Sequence, residues 1–148
     1  MSCKHIWVDA DSCPAKAKTI ILQTAISYGA KVTYVANRPI PFSIQNPLFT
    51  MYVCEAKENA ADDVIVADCE EGDIVVTRDL PLARRLVEKG IAVLNDRGVI
   101  FTEAILKKML AERELSLHMQ SLGIATARWN TYNGKDMQNF ADSLQSLF

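Results

Sequence analysis

The stretch IWVDADSCP, residues 6–14, decides the fold. A short apolar run, Ile6 to Val8, has the character of a buried strand and stops at Asp9. The polar residues that follow lead to Pro14, a residue type suited to the beginning of a helix. We therefore predict a strand, a tight turn and a helix in that order.

The same alternation continues along the chain. After the first strand, apolar runs predict further strands at residues 32–36, 48–53, 74–77 and 91–94. Helical spacing of apolar residues predicts helices that follow Pro14 and end at Gly29, and that cover residues 59–69, 79–90 and 102–122, with a last helix in the tail. Strands that alternate with helices form βαβ units, whose strands are parallel. The sequence thus predicts an α/β fold with a mainly parallel sheet of about five strands.

Composition predicts one domain that spans residues 1–148. The chain has 148 residues, 49% apolar and 23% charged, which is ordinary for a single globular domain and excludes disorder and coiled coil. No linker or repeat interrupts it, so we expect residues 123–148 to pack on the same domain as a C-terminal tail. The net charge of −2 provides no general basic field, so any contact with nucleic acid would be local or metal-mediated.

The cysteines and the hydropathy indicate the compartment. The cysteines have neither CxxC spacing nor a neighbouring histidine, which argues against a zinc site. We therefore expect free thiols in a reducing environment at Cys3, Cys13, Cys54 and Cys69. No run of 18 apolar residues is present, and residues 1–5 lead directly into a strand. We expect a cytoplasmic protein with no membrane partner.

Aspartates follow the predicted strands. Parallel strands place the residues after each strand at one edge of the sheet, where open α/β folds bind their ligands. The aspartates at or near that edge are Asp9, Asp11, Asp62, Asp63, Asp79 and Asp96. Clustered carboxylate oxygens suit Mg²⁺ or Mn²⁺, and magnesium commonly completes its coordination with water and substrate phosphate. Hydrolysis of a phosphate ester is the chemistry that this pattern indicates.

Each aspartate taken singly also has a structural explanation, and that explanation is the favoured one. Asp11 or Ser12 can cap the first helix, and Asp79 can cap a later helix. Asp62 can be a first-turn acid that the helix dipole favours. Asp9 is the exception, because a charge at the end of an apolar central strand is costly without a partner.

Basic and aromatic side chains give a weaker indication of nucleic-acid binding. Most such residues form a solvated helical face, but these cations could steer a phosphate backbone towards the acidic edge: Arg78, Arg84, Arg85, Lys89, Lys107, Lys108 and Arg113. In the tail, Trp129 and Tyr132 could stack bases beside Arg128 and Lys135, and core packing is an equally good explanation.

Four segments together resemble a known family. WVDADSCP at residues 7–14, VANRP at 35–39, AADD at 60–63 and GDIVVTRDLPLA at 72–83 occur in the same order in the YaiI/YqxD family of uncharacterised bacterial proteins. That family is regarded as PIN-like, so the resemblance implies a nuclease-type α/β/α sandwich with a central parallel sheet. It also implies that Asp9 and Asp79 are metal ligands.

The resemblance leaves the remaining ligands open. A mid-chain helical acid corresponds to Asp62 or Asp63, and a fourth acid corresponds to Asp96 or Asp11. Our leading hypothesis is a Mg²⁺- or Mn²⁺-dependent phosphodiesterase that acts on RNA or another single-stranded nucleic acid, with catalytic Asp9, Asp63 and Asp79.

Two alternatives use the same residues differently. Asp9 and Asp11 resemble the DxD element of haloacid-dehalogenase-like phosphatases, in which the first aspartate is a nucleophile. The third hypothesis is a non-catalytic PIN-like binding module, because helix capping can account for most of the aspartates.

Overall fold

A five-stranded parallel sheet lies between two layers of helices, as predicted. The computed structural model describes residues 4–124 and 131–148. Cys3, Arg128 and Trp129, for which the sequence suggested roles, lie outside these ranges.

The elements follow the predicted order with small differences at their ends. The strands are β1 (His5–Asp9), β2 (Lys31–Ala36), β3 (Phe49–Val53), β4 (Ile74–Val76) and β5 (Ala92–Leu94). The helices are α1 (Ala15–Tyr28), α2 (Ala60–Asp68), α3 (Leu80–Glu88), α4 (Glu103–Ser121) and α5 (Gly134–Ser146). Gly29 ends α1 in the left-handed conformation, at φ 67°, as its position predicted.

The strand order β3-β2-β1-β4-β5 places β1 in the centre of the sheet. All four pairings are parallel, with Trp7 opposite Thr33 in β2 and opposite Val75 in β4. The chain winds outwards from β1 in one direction and then returns to add β4 on its other side. In open α/β sheets the crevice at such a reversal is the usual ligand site.

Alternate side chains of the central strands form two apolar cores, one on each face of the sheet. On the first face, Ile6 and Val8 pack with α1 and α5, and Phe140 and Leu144 of α5 are fully buried there. On the other face, Trp7 packs with residues of α2, α3 and the start of α4. Burial of each such aliphatic side chain contributes about 1.5–3 kcal/mol, so these layers hold the sheet.

The N-terminus of α1 differs from the expectation, whereas that of α2 agrees with it. Pro14, and not Asp11 or Ser12, is the N-cap of α1, and it makes no side-chain capping hydrogen bond. The prediction of a side-chain cap was wrong because the hydroxyl of Ser12 instead donates to Asp9. In α2 the N-cap is Asn59, with φ 63°, and Asp62 and Asp63 occupy the first turn, as predicted for Asp62.

Helix α4 is only half covered. Leu106 is buried, and Met109 packs partly against the same core, whereas Leu115 and Leu117 in the second half are 59% and 56% exposed. The apolar spacing of the sequence identified the helix but not the point at which its packing stops. None of the helices in the described ranges is both long and apolar enough to span a membrane.

Gly98 fixes α5 to the turn after β5. Its φ of 90° is in the region that favours glycine, and a Cβ atom there would lie 2.6 Å from the carbonyl oxygen of Asn139 in α5. The hydroxyl of Ser143 also donates to the carbonyl of Gly98, at 2.6 Å. The turn and the helix therefore approach each other as closely as glycine permits.

We predict that Gly98→Ala lowers the free energy of unfolding by about 2–5 kcal/mol, since it adds a backbone clash to an unfavourable φ. Gly72→Ala is the matched control, because Gly72 has a similar φ of 94° and nothing within 4 Å of the added Cβ. That variant should lose only about 1–2 kcal/mol. Urea unfolding of both variants measures the difference, and equal losses would contradict a tight contact between the turn and α5.

Candidate functional site

Thr77 joins the carboxyl ends of β1 and β4. This residue is 2% exposed, and its hydroxyl donates to Asp9 Oδ2 at 3.0 Å. The backbone N–H of Asp79 donates to the same hydroxyl oxygen, also at 3.0 Å. The hydroxyl of one buried threonine thus holds Asp9 and Asp79 on the two sides of the crevice between β1 and β4.

Each of these two aspartates has one oxygen committed and one oxygen available. Ser12 donates a second hydrogen bond to Asp9 Oδ2, at 3.3 Å. Asp79 caps α3 as predicted, with Oδ1 accepting the backbone N–H of Leu82 at 2.8 Å. Within the described ranges no hydrogen bond reaches Asp9 Oδ1 or Asp79 Oδ2. The positioned carboxylates therefore keep acceptor capacity for a ligand.

A small pocket of about 240 Å³ is lined by three aspartates from different parts of the fold, and also by Glu55 and Lys57 from the segment after β3. Asp9 comes from the end of β1, Asp79 from the N-terminus of α3, and Asp62 from the first turn of α2. Asp11 also lines this acidic pocket, from the loop after β1. The parallel sheet therefore does bring separated aspartates to one edge.

Burial and mutual repulsion act on the acids of this pocket. Burial is the main cause that raises the pKa of Asp9, and the charges of Asp79 and Asp11 raise it further against the hydrogen bonds from Thr77 and Ser12. Burial also raises the pKa of Asp62 to about 6, with further contributions from Asp79 and Asp9. Negative charge in this pocket is therefore costly, and a cation would relieve that cost.

The other predicted site residues have protein partners. Asp63 pairs with Arg85 of α3 at 3.2 Å and is exposed. Asp96 is buried, and Arg78 binds both of its oxygens, at 2.8 and 2.5 Å. Asp11 accepts only long hydrogen bonds, from the backbone of Asn37 at 3.4 Å and from Arg38 at 3.5 Å. The structure thus brings together Asp9, Asp62 and Asp79, places Asp11 beside them, and separates Asp63 and Asp96 from the pocket.

The donor set suits a hard cation, although it is not a closed cage. Over residues 4–124 and 131–148, no three His, Cys, Asp or Glu side chains are close enough to form a ready metal-binding group. Mg²⁺ commonly uses one or two protein carboxylates and retains several waters. Asp9 and Asp79 with Asp62 nearby therefore fit Mg²⁺ or Mn²⁺, which favour oxygen ligands.

A larger cleft of about 840 Å³ adjoins the acidic pocket and shares Asp9 and Asp79 with it. Three arginines line this arginine cleft: Arg78, Arg97 and Arg113. Tyr132 also lines it and donates from its hydroxyl to the carbonyl of Asp96 at 2.8 Å. Burial raises the pKa of Tyr132 to about 12, so the hydroxyl keeps its proton at neutral pH. The carboxyl edge therefore has an acidic side and a basic side.

Sequence reasoning assigned no positioning role to Thr77 or Ser12 and did not foresee the ion pair of Arg78 with Asp96. A polar residue at the end of the apolar run IVVT, residues 74–77, was the available signal for Thr77. No comparable signal linked Arg78 to Asp96, since the two residues meet only after β4 and β5 pair.

We predict that Thr77→Val lowers the free energy of unfolding by about 1–3 kcal/mol, because it leaves the N–H of Asp79 without its acceptor and removes a donor from Asp9. Thr24→Val is the control, since Thr24 is also a buried threonine, 6% exposed, and lies on α1 outside both pockets. Chemical unfolding of the two variants gives the comparison. A loss for Thr24→Val as large as that for Thr77→Val would contradict the special role of Thr77.

We predict a pH dependence of stability from Asp62 in metal-free protein. Its pKa is about 6 in the folded state and about 3.9 in the unfolded state, so between these values the folded state binds more protons. The contribution of Asp62 to the free energy of unfolding therefore falls as the pH rises from about 4 to about 6. Asp62→Asn should remove this fall relative to wild type in urea unfolding with EDTA. Asp68→Asn, an exposed change in the same helix, should keep it, and identical pH profiles for the two variants would refute the assignment.

Comparison with known proteins agrees with the resemblance seen in the sequence. The model of the family described as "Uncharacterized BCR, YaiI/YqxD family" matches residues 7–148. A UPF0178 protein of Treponema pallidum is 39% identical over 139 residues, which cover 94% of this chain and 78% of the relative. A UPF0178 protein of Treponema denticola is 40% identical over 142 residues, which cover 96% of this chain and 90% of the relative.

The similarity also extends outside the genus Treponema. A UPF0178 protein of Maridesulfovibrio salexigens is 40% identical over 145 residues, which cover 97% of this chain and 94% of the relative. No solved structure matches the chain significantly. Because the family model and these relatives cover nearly all of the sequence, the chain belongs to the YaiI/YqxD family, as the resemblance predicted.

Proposed function

We propose that this protein is a metal-dependent phosphodiesterase that acts on RNA or another single-stranded nucleic acid. The observation that carries the proposal is the meeting of Asp9, Asp62 and Asp79 in one pocket at the reversal of the strand order. Burial and mutual repulsion raise the pKa of Asp9 and Asp62, and such perturbed acids in a cleft are typical of functional sites.

In this proposal Asp9 and Asp79 hold Mg²⁺ or Mn²⁺, and Asp62 completes the set directly or through water. The bound cation would supply charge stabilisation at the phosphate and an activated water. Thr77 and Ser12 hold Asp9 by its Oδ2, so that Oδ1 is left for the ligand. The role of Asp79 as the α3 N-cap fixes its carboxylate in a similar way.

The geometry favours Asp62 over Asp63 as the helical acid. Residues that are adjacent in a helix point about 100° apart, so only one of the two can face Asp9. Asp62 lines the acidic pocket, whereas Asp63 pairs with Arg85. We therefore place Asp62 in the role that the sequence analysis gave to Asp63.

A non-catalytic binding module is the second candidate. It is favoured by the lack, within the described ranges, of a group of three side chains ready to hold a metal ion. A haloacid-dehalogenase-like phosphatase is less well supported, since Asp11 is exposed and makes contacts to Asn37 and Arg38. Trapping of an aspartyl-phosphate on Asp9 would distinguish that phosphatase from both other candidates.

We predict that Mn²⁺ binds wild-type protein and that Asp9→Asn and Asp62→Asn each weaken binding about tenfold or more, since each removes one carboxylate charge from the pocket. The amide oxygen of Asn at position 9 can still accept from Thr77 and Ser12, so this variant should stay folded. Isothermal titration measures the affinities. Asp63→Asn is the matched control on the same helix and should bind Mn²⁺ like wild type.

The same variants test the proposed phosphodiesterase activity. Manganese-dependent cleavage of a fluorescent single-stranded RNA should be lost in Asp9→Asn and retained in Asp63→Asn. Full cleavage by Asp9→Asn would overturn the proposed site. No Mn²⁺ binding and no cleavage by wild type, together with RNA binding that persists in EDTA, would replace the enzyme with the binding module.

A further inference from the structure

The arginine cleft is built differently from the acidic pocket beside it. It is lined by arginines, by Tyr132 and by apolar side chains, and it meets the acidic pocket at Asp9 and Asp79. We propose that this cleft binds one nucleoside monophosphate unit of a single-stranded nucleic acid, adjacent to the phosphate that is cut. The position of the cut phosphate rests on the proposed function, whereas the binding of the nucleotide does not.

The phosphate-binding side of the cleft is provided by Arg78 and Arg113. Asp96, with its side chain 3% exposed, holds Arg78 through Nε and Nη2. This contact fixes the guanidinium plane, and no described residue forms a hydrogen bond with Nη1. Arg113 on α4 makes no ion pair with any residue in the described ranges. A fixed guanidinium with an available N–H edge suits bidentate recognition of phosphate oxygens.

The base-binding side is apolar and aromatic. Phe101 is buried, and Leu80 and Met109 are half-buried where they line the cleft. The hydroxyl of Tyr132 is held by the carbonyl of Asp96, which fixes the position of the ring. Planar bases stack on such rings with little dependence on sequence. The volume of about 840 Å³ lies in the range of roughly 300–1,000 Å³ that is usual for small-molecule sites, so one nucleotide fits.

The difference in charge between the acidic pocket and the arginine cleft determines how a single nucleic-acid strand would be positioned. The acidic pocket repels a polyanion that lacks a cation, whereas Arg78 and Arg113 attract it. A strand bound in this way leaves the phosphate beside the nucleotide at the shared wall, at Asp9 and Asp79. A base held in the cleft cannot remain paired, so the cleft selects single-stranded over duplex nucleic acid.

The test is an NMR titration of adenosine 5′-monophosphate into metal-free, full-length protein in EDTA, where no cleavage occurs. We expect saturable shifts of backbone amides at Asn95, Arg97 and Tyr132, around the cleft. Adenosine lacks the phosphate and ribose 5-phosphate lacks the base, so each should bind with an affinity at least about tenfold lower than that of adenosine 5′-monophosphate. Equal binding of ribose 5-phosphate and adenosine 5′-monophosphate would overturn the base-binding role.

Variants locate the two halves of the site. Tyr132→Leu should weaken binding of adenosine 5′-monophosphate about tenfold, and Tyr132→Phe should weaken it less, because the ring is kept although its hydrogen bond to Asp96 is lost. Arg113→Ala should also weaken binding, whereas Arg84→Ala, an exposed arginine on α3 outside the cleft, should not. Unchanged affinity in both Tyr132→Leu and Arg113→Ala would overturn the proposal, and so would shifts confined to other surfaces.

Cleavage is measured separately, so that the two proposals can fail independently. Manganese-dependent RNA cleavage without detectable binding of adenosine 5′-monophosphate to the cleft would overturn the nucleotide site and leave the proposed function intact. Binding that depends on Tyr132 and Arg113, with no cleavage of RNA, would support the nucleotide site and overturn the phosphodiesterase.

Discussion

The parallel pairing of β1 with both β2 and β4 is the constraint on which the rest of the structure depends. It buries β1 in the centre of the sheet and brings the carboxyl ends of its neighbours to the same edge. The position of Asp9, at the end of β1, is fixed because Ile6 and Val8 are buried in one core and Trp7 is buried in the other. The hydroxyl of Thr77 then connects this central carboxylate to the start of α3.

The ion pair between Arg78 and Asp96 determines how charge is distributed along the carboxyl edge of the sheet. A buried carboxylate without a partner is strongly unfavourable, and Arg78 neutralises Asp96 through two contacts. With Asp96 neutralised in this pair, the negative charge of the carboxyl edge lies mainly in the acidic pocket, on the α2 side. The arginines lie in the arginine cleft, on the α4 side. In the proposed function, an anionic substrate and a cation would meet at the boundary between these two sides.

The tail takes part in this arrangement because α5 is packed on the sheet through Phe140 and Leu144. The close approach of Gly98 to Asn139 holds the turn after β5 against α5. Tyr132, just before that helix, thereby reaches the backbone of Asp96. A contact that stabilises the C-terminal helix is therefore also one that shapes the wall of the cleft.

The sequence by itself determined the α/β class, the order of the elements, most of their bounds and the family. Apolar periodicity is a local property, and βαβ connections allow few alternatives. The sequence also placed Asp9 and Asp79 at the carboxyl edge of the sheet, since each comes at or shortly after the end of an apolar run. Only the tertiary structure decided that Asp62 and not Asp63 faces the pocket, that Asp96 is paired with Arg78, and that Arg113 and Tyr132 line one cleft. Those outcomes depend on helix rotation and on the pairing of distant strands, which local spacing does not encode.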